Sequence, residues 1–244
     1  MSCDTLSSTA PDGPDQKEPR LCARGVRVRY GGTVALEGVD LIVRDGESVA
    51  IMGPSGSGKS TLLHSMAGII SPDEGTVTLR TREGVRELGG LSDAARSAVR
   101  LREYGFVFQQ GMLIPELTAA ENVAMPLLLA GGRKSVAIAR ADLLLRELGL
   151  AGLEGRRIGQ LSGGQAQRVA IARARATDAH VVFADEPTGA LDSRTASEVL
   201  DVLLAGTTAQ GRALVMVTHD EDVASRCSRV VRLKDGRIVD SPTR

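Results

Sequence analysis

The 244-residue chain contains no tryptophan, and aromatic residues make up only 2% of it. A core must therefore come from Val, Leu, Ile and Ala, which favours a buried parallel sheet over an aromatic-rich all-β sandwich. Thirty basic and thirty acidic side chains cancel. No overall field draws the chain to nucleic acid or anionic lipid, and no nucleic-acid partner is expected. No apolar stretch reaches the roughly 20 residues of a spanning helix, because Gly, Pro or charge interrupts each one. The amino terminus lacks a basic start followed by an apolar run, so it does not read as a secretory signal, and a cytosolic chain is expected. Cys3, Cys22 and Cys227 form no C-x-x-C pair and have no metal-ligand spacing, and they read as reduced and structural.

What is present is ordinary globular composition, 42% hydrophobic, in a length that suits one large α/β domain or two small ones. Residues 1–20, with three prolines and few apolar side chains, read as a disordered leader. From Leu21 the alternation Val26, Val28, Tyr30, then Val39 to Val43 and Glu47 to Met52, predicts an antiparallel β start. A helix is predicted from Lys59 to Ala67, a strand over 75–80, a helix over 92–103 and a short strand over 105–109. Residues 118–160 read as mainly helical, opening on a capping box at Thr118 and Glu121. Strands at Val181 to Ala184 and Ala213 to Val217 flank a helix near 193–209, the alternation of a parallel sheet. A closing hairpin turns at Asp235-Gly236. The expected architecture is α/β: a mixed core sheet, with an N-terminal antiparallel β subdomain and a helical subdomain inserted at about 92–176, all within one domain over 21–244.

Three motifs carry chemistry. Gly53-Pro54-Ser55-Gly56-Ser57-Gly58-Lys59-Ser60 fits G-x-x-x-x-G-K-[ST] between a strand and a helix that runs on through Thr61. Its glycines let backbone N–H groups converge on phosphate oxygens, Lys59 can reach the β/γ-phosphates, and Ser60 can ligate Mg²⁺. An apolar strand ends in Asp185-Glu186. Asp185 could hold the metal shell and Glu186 could activate a water, although acids at strand ends also serve as helix caps. Leu161-Ser162-Gly163-Gly164-Gln165 opens a helix. It reads either as a second phosphate-binding N-terminus or, taken alone, as an ordinary serine cap.

Together with His219 in register, these residues resemble the ATP-binding cassette ATPases over about 21–240, with the five-residue signature at 161–165 as the discriminating element. The resemblance implies the P-loop NTPase type of fold, with ATP and Mg²⁺ as substrate and cofactor. It places the adenine against Tyr30 and assigns Gln109 to the metal or lytic water and to sensing a membrane partner; Gln110 beside it is the alternative. It gives Glu186 the role of base, His219 that of the switch contact to the γ-phosphate, and Asp192 a place in the loop joining two active sites. Gly189 stands where serine is common in that loop. A head-to-tail homodimer is implied, with ATP sandwiched between the phosphate loop of one subunit and Ser162-Gly163-Gly164-Gln165 of the other.

The segment 105–130 and Asp185-Glu186-Pro187-Thr188-Gly189-Ala190-Leu191-Asp192 look like the lipoprotein-release, macrolide-export and antimicrobial-peptide-resistance group. That likeness implies integral membrane permease subunits on separate chains and a position on the inner face of the membrane. A small-solute importer ATPase, a cell-division ATPase and a soluble ATPase acting on nucleic acid or the ribosome are the alternatives.

Overall fold

The computed structural model describes residues 19–109 and 111–241. Most of the expected leader therefore lies outside the described residues, as do Cys3 and Gln110. Pro19 and Arg20, assigned to that leader, instead open the first strand, β1 (Pro19–Tyr30).

Two sheets form the frame. The first is antiparallel: β2 (Thr33–Arg44), β1, β4 (Glu74–Thr81) and β5 (Gly84–Glu87), in that order. The second runs β10 (Arg237–Asp240), β9 (Arg229–Lys234), β3 (Ser48–Met52), β8 (Ala213–Val217), β7 (Val181–Asp185), β6 (Tyr104–Phe108). It is parallel except for the β9–β10 hairpin. Strand β5, fully exposed as Gly-Val-Arg-Glu, has no apolar alternation and was not legible in the sequence.

Side chains alternate faces along a strand, and here that alternation divides the interior. Val49 and Ile51, Val181 and Phe183, and Val215 and Val217 face one core. It is shared with the antiparallel sheet and with Leu62, Leu63 and Met66 of helix α1 (Lys59–Met66). Ala50 and Met52, Val182 and Ala184, and Leu214 and Met216 face the other. That core is filled by α3 (Ala119–Leu129), α4 (Lys134–Glu147), α5 (Gly163–Arg175) and α6 (Ser193–Gly206). Continuous apolar strands are what burial on both faces requires.

Within the 92–176 span read as the helical insertion, α2 (Asp93–Glu103) and β6 belong to the sheet. Val99 and Tyr104 sit in the core shared with the antiparallel sheet, whereas α3, α4 and α5 pack on one another. The helical unit thus begins at Ala119, where the capping box of Thr118 and Glu121 is formed. A short helix, α7 (Glu221–Ser225), follows β8 and is capped by Asp220.

Four of the five aromatic residues pack together on β6 and β7: Tyr104, Phe106, Phe108 and Phe183, with ring centroids 5.1 to 6.4 Å apart. Tyr30 is the fifth, and it is 52% exposed. Cys22 and Cys227 are buried thiols. No helix among the described residues is long and apolar enough to cross a membrane.

Asp45, in the turn between β2 and β3, ties the antiparallel sheet together. Its carboxylate accepts from Arg20 Nε at 2.5 Å and Nη2 at 2.9 Å, and from Arg80 Nη2 at 2.6 Å. Burial alone would raise its pKa, but the two guanidinium groups outweigh burial and hold it below the ordinary value. A lowered folded pKa contributes stability that is present above the unfolded pKa and lost as pH falls through the folded value. Asp45→Asn is therefore expected to lower stability at pH 7 by on the order of 1 kcal/mol. The gap to wild type should close as pH falls below 3.8, the ordinary value for this carboxyl. Thermal melts across pH check this, and a gap that does not change with pH would refute it.

Candidate functional site

The parallel strands end in register. Hydrogen-bonded pairing aligns Ile51 with Val217, Val217 with Asp185, and Asp185 with Phe108. Just past that row the chain delivers Gly53 from β3, His219 from β8, Glu186 from β7 and Gln109 from β6. In parallel α/β sheets this C-terminal edge is where ligands bind.

The phosphate loop has the shape its glycines predict. Gly53, Gly56 and Gly58 have φ of 149°, 78° and 99°. A Cβ on Gly53 would lie 2.0 Å from the Leu233 carbonyl oxygen, and one on Gly58 would lie 2.4 Å from that of Ala35. Only glycine fits both the backbone conformation and the space. Lys59 Nζ donates to the Gly53 and Pro54 carbonyls at 2.8 and 2.9 Å, and Ser57 N to the Pro54 carbonyl at 3.2 Å. Ser55 and Gly56 form the exposed rim, and Ser60 and Thr61 lie in the first turn of α1.

The loop has a second support that the sequence did not reveal. The turn between β9 and β10, with Asp235 at φ 49° and Gly236 at φ 73°, is the hairpin expected of Asp-Gly. Gly236 N also donates to the Ser57 carbonyl at 3.1 Å, and Glu37 N donates to the Gly236 carbonyl at 2.9 Å. The carboxyl-terminal hairpin and β2 therefore clasp the phosphate loop. Contacts this distant along the chain leave no local pattern.

The acids occupy different environments. Burial raises the pKa of Asp185; His64 and a hydrogen bond from Ser60 oppose the shift, and the Glu186 charge adds to it. His64, on α1, was missed in the sequence, where it looks like any partly buried helical residue. Glu186 has φ 46°, a left-handed conformation that costs a non-glycine residue about 1–3 kcal/mol and marks functional sites. Its side chain meets His219, with Nδ1 3.1 Å from Oε1, and His219 is 66% exposed. Ser60, Asp185, Glu186 and Gln109 line one cavity of about 420 Å³, with Phe108 and Met112 as its wall. Gly189 faces the same place: a Cβ there would lie 3.0 Å from Gln109 Nε2 and 3.3 Å from Glu186 Oε2.

These residues fit Mg-ATP. A hydroxyl (Ser60) and a carboxylate (Asp185) are paired beside an ammonium (Lys59), the loop backbone is open to close approach, and the buried Ser57 hydroxyl has no hydrogen-bond partner among the described residues. A metal there would be held by Ser60, Asp185 and Gln109.

Other expected site residues lie apart from this cluster. Tyr30 ends β1 in the antiparallel sheet, with its ring exposed. Ser162 and Gln165 form a reciprocal capping box, which is the serine-cap reading in geometry. The N–H groups of Gly163 and Gly164 open the helix, where the first turn has no intrahelical acceptors. Their neighbours are Leu191 and Thr195, and α5 packs on α3, α4, α6 and β6. Asp192 caps α6, accepting from Thr195 N at 3.0 Å, and hydrogen bonds from the Thr195 side chain and backbone lower its pKa.

A glycine-rich loop clamped between a doubly buried parallel strand and a helix, with carboxylates at the end of β7 one strand removed, defines a P-loop nucleotide-binding domain. The sequence profile of the ABC transporter family matches residues 36–189, and this chain belongs to that family. It is 48% identical over 204 residues to the lipoprotein-releasing system ATP-binding protein LolD of Geobacter metallireducens, covering 84% of this chain and 89% of that one. It is 45% identical over 231 residues to the pyoverdine export ATP-binding/permease protein PvdT of Pseudomonas syringae pv. tomato; here the alignment covers 93% of this chain and about a third, 34%, of the relative. Among solved structures, a dimeric post-hydrolysis state of the ATP-binding cassette MJ0796 bound to ADP and Pi superposes with a TM-score of 0.80 at 38% identity. That match covers 91% of this chain and 98% of that one.

Replacing Gly236 by alanine would put a Cβ 2.9 Å from the Ala35 carbonyl oxygen, at a positive φ. Gly236→Ala is expected to cost roughly 1–2 kcal/mol of stability and to weaken ATP binding at a loop far away in sequence. Thermal melts and calorimetric titration with ATP check this. Unchanged affinity would mean that the hairpin does not shape the phosphate loop.

Proposed function

We propose that this chain is the ATP-hydrolysing subunit of a membrane transporter. It works as a head-to-tail homodimer on separate permease chains at the inner face of the cell membrane. The observation that carries this reading is the row of Gly53, His219, Glu186 and Gln109 along one sheet edge, with Lys59, Ser60 and Asp185 between them.

Lys59 and the loop N–H groups bind the phosphates. Magnesium, when bound, neutralises charge on the phosphate oxygens. Glu186, held in a strained backbone beside His219, accepts the proton of the attacking water, and His219 keeps that carboxylate in place. Tyr30 stacks on adenine, consistent with its exposure apart from the aromatic cluster. Ser162, Gly163, Gly164 and Gln165, with Asp192 close by, complete the partner's site: the first turn of α5 opens on N–H groups without intrahelical acceptors, and a second subunit is the natural recipient.

The LolD relatives favour the exporter or lipoprotein-release branch with a separate permease, because the alignments span 89% and 97% of two such ATP-binding proteins. Permease contact is supported by an apolar groove of about 390 Å³ beside β6, lined by Ile69, Leu101, Phe106 and Pro126 and sharing Phe108 and Met112 with the site cavity.

Glu186→Gln should bind ATP, lose roughly 10²–10⁴-fold in turnover and accumulate a closed dimer. Equilibrium ATP binding, steady-state phosphate release and size-exclusion chromatography with ATP test this together. Near-normal turnover would remove Glu186 as the base. Co-purification with a four-helix permease is expected; ATPase stimulation by DNA or ribosomes without a membrane partner would favour the soluble alternative.

A further inference from the structure

Arg173 interrupts the apolar run Val169-Ala170-Ile171-Ala172 and Ala174 of α5. Burial lowers the pKa of its guanidinium, yet no carboxylate pairs with it among the described residues. Its two terminal nitrogens donate instead to consecutive backbone carbonyls, Nη2 to Gly111 at 2.7 Å and Nη1 to Met112 at 2.7 Å. Those residues are the left-handed pair of the loop after Gln109, with φ of 68° and 43°. Glycine adopts that conformation freely, but methionine needs its surroundings to enforce it. On the other flank, Gln167 Nε2, also on α5, donates to the Phe108 carbonyl at 2.9 Å, which accepts Gly111 N as well at 2.8 Å. The Gln109 side chain makes no hydrogen bond among the described residues. Its place in the cavity with Asp185 and Glu186 is inherited from the backbone on either side.

We propose that Arg173, supported by Gln167, is a positioning residue for hydrolysis: it grips the Gly111 and Met112 carbonyls and so aims Gln109 at the reaction site. This rests on the reading of Gln109 as a contact to the metal or lytic water. A planar fork reaches two adjacent carbonyls at once, which a lysine ammonium on its flexible stem does less well. Helix packing alone does not call for a guanidinium here, since the neighbouring positions of α5 are filled by Ala, Val and Ile.

The test is a double-mutant cycle on the full chain, measuring ATP hydrolysis with magnesium. Gln109→Ala should lower kcat. Arg173→Met should also lower kcat, by about tenfold or more, as displaced catalytic groups do, with little change in the KM for ATP. Arg173→Lys should recover part of the loss. The double variant should fall no further than the worse single one, because both changes remove one function. Hydrogen exchange should quicken at 108–113 in Arg173→Met without spreading through α5. If Arg173→Met does not fold, Gln167→Met at the opposite flank carries the same cycle.

Retained kcat in the Arg173 variant, or losses that multiply independently of Gln109, would overturn the proposal. An inactive Gln109→Ala beside a fully active Arg173→Met defeats the positioning role alone. A fully active Gln109→Ala defeats the reading of Gln109 beneath it, whatever hydrogen exchange reports about the grip.

Discussion

Strand β3 is buried at all five positions, Ser48 to Met52, and the rest of the molecule is arranged around that fact. A strand with no exposed side needs cover on both faces. The antiparallel sheet with α1 supplies one cover and the helices α3 to α6 the other. Its neighbours β8 and β9 run parallel to it, and the crossover connections bring the carboxyl ends of β3, β6, β7, β8 and β9 to the same edge. The shared register of Ile51, Val217, Asp185 and Phe108 then sets four loops side by side. The chemistry assigned to Lys59, Glu186, His219 and Gln109 needs no further device to bring it together.

Much of this was legible because each motif is local. A glycine at φ 99° with no room for a Cβ declares itself as Gly58 in a Gly-Lys-Ser string. The strand ending in Asp185 reads directly from Val-Val-Phe-Ala, and the boxes at Thr118 and Ser162 follow from spacing alone. What stayed hidden is non-local. The Asp235-Gly236 turn looked like any hairpin, because its grip on Ser57 spans most of the chain. Val99 did not disclose that α2 belongs with the sheet, since helical periodicity marks a buried face without naming what covers it. No local pattern singles out Arg173, whose partners are the Gly111 and Met112 carbonyls some sixty residues away.

Strain is distributed unevenly. Besides glycines, only Met112, Asp178, Glu186 and Asp235 have positive φ among the described residues. Asp235 is in a turn made for it, but Glu186 and Met112 border the site cavity. Hydrogen bonds hold both: Glu186 N to the Val217 carbonyl at 3.0 Å, and Arg173 to the carbonyl of Met112. The backbone at this edge is therefore held in part by Val217 and Arg173, which do not line the cavity.

The clasp on the phosphate loop also bears on the order in which the protein can become itself during synthesis. Gly53 to Ser60 leave the ribosome well before the Leu233 carbonyl that floors the loop and the Gly236 N–H that ties it. Long sequence separation delays such contacts. A nascent chain thus carries its nucleotide motif without the means to shape it until residues 233–236 have been made, and nucleotide capture waits on that distant turn.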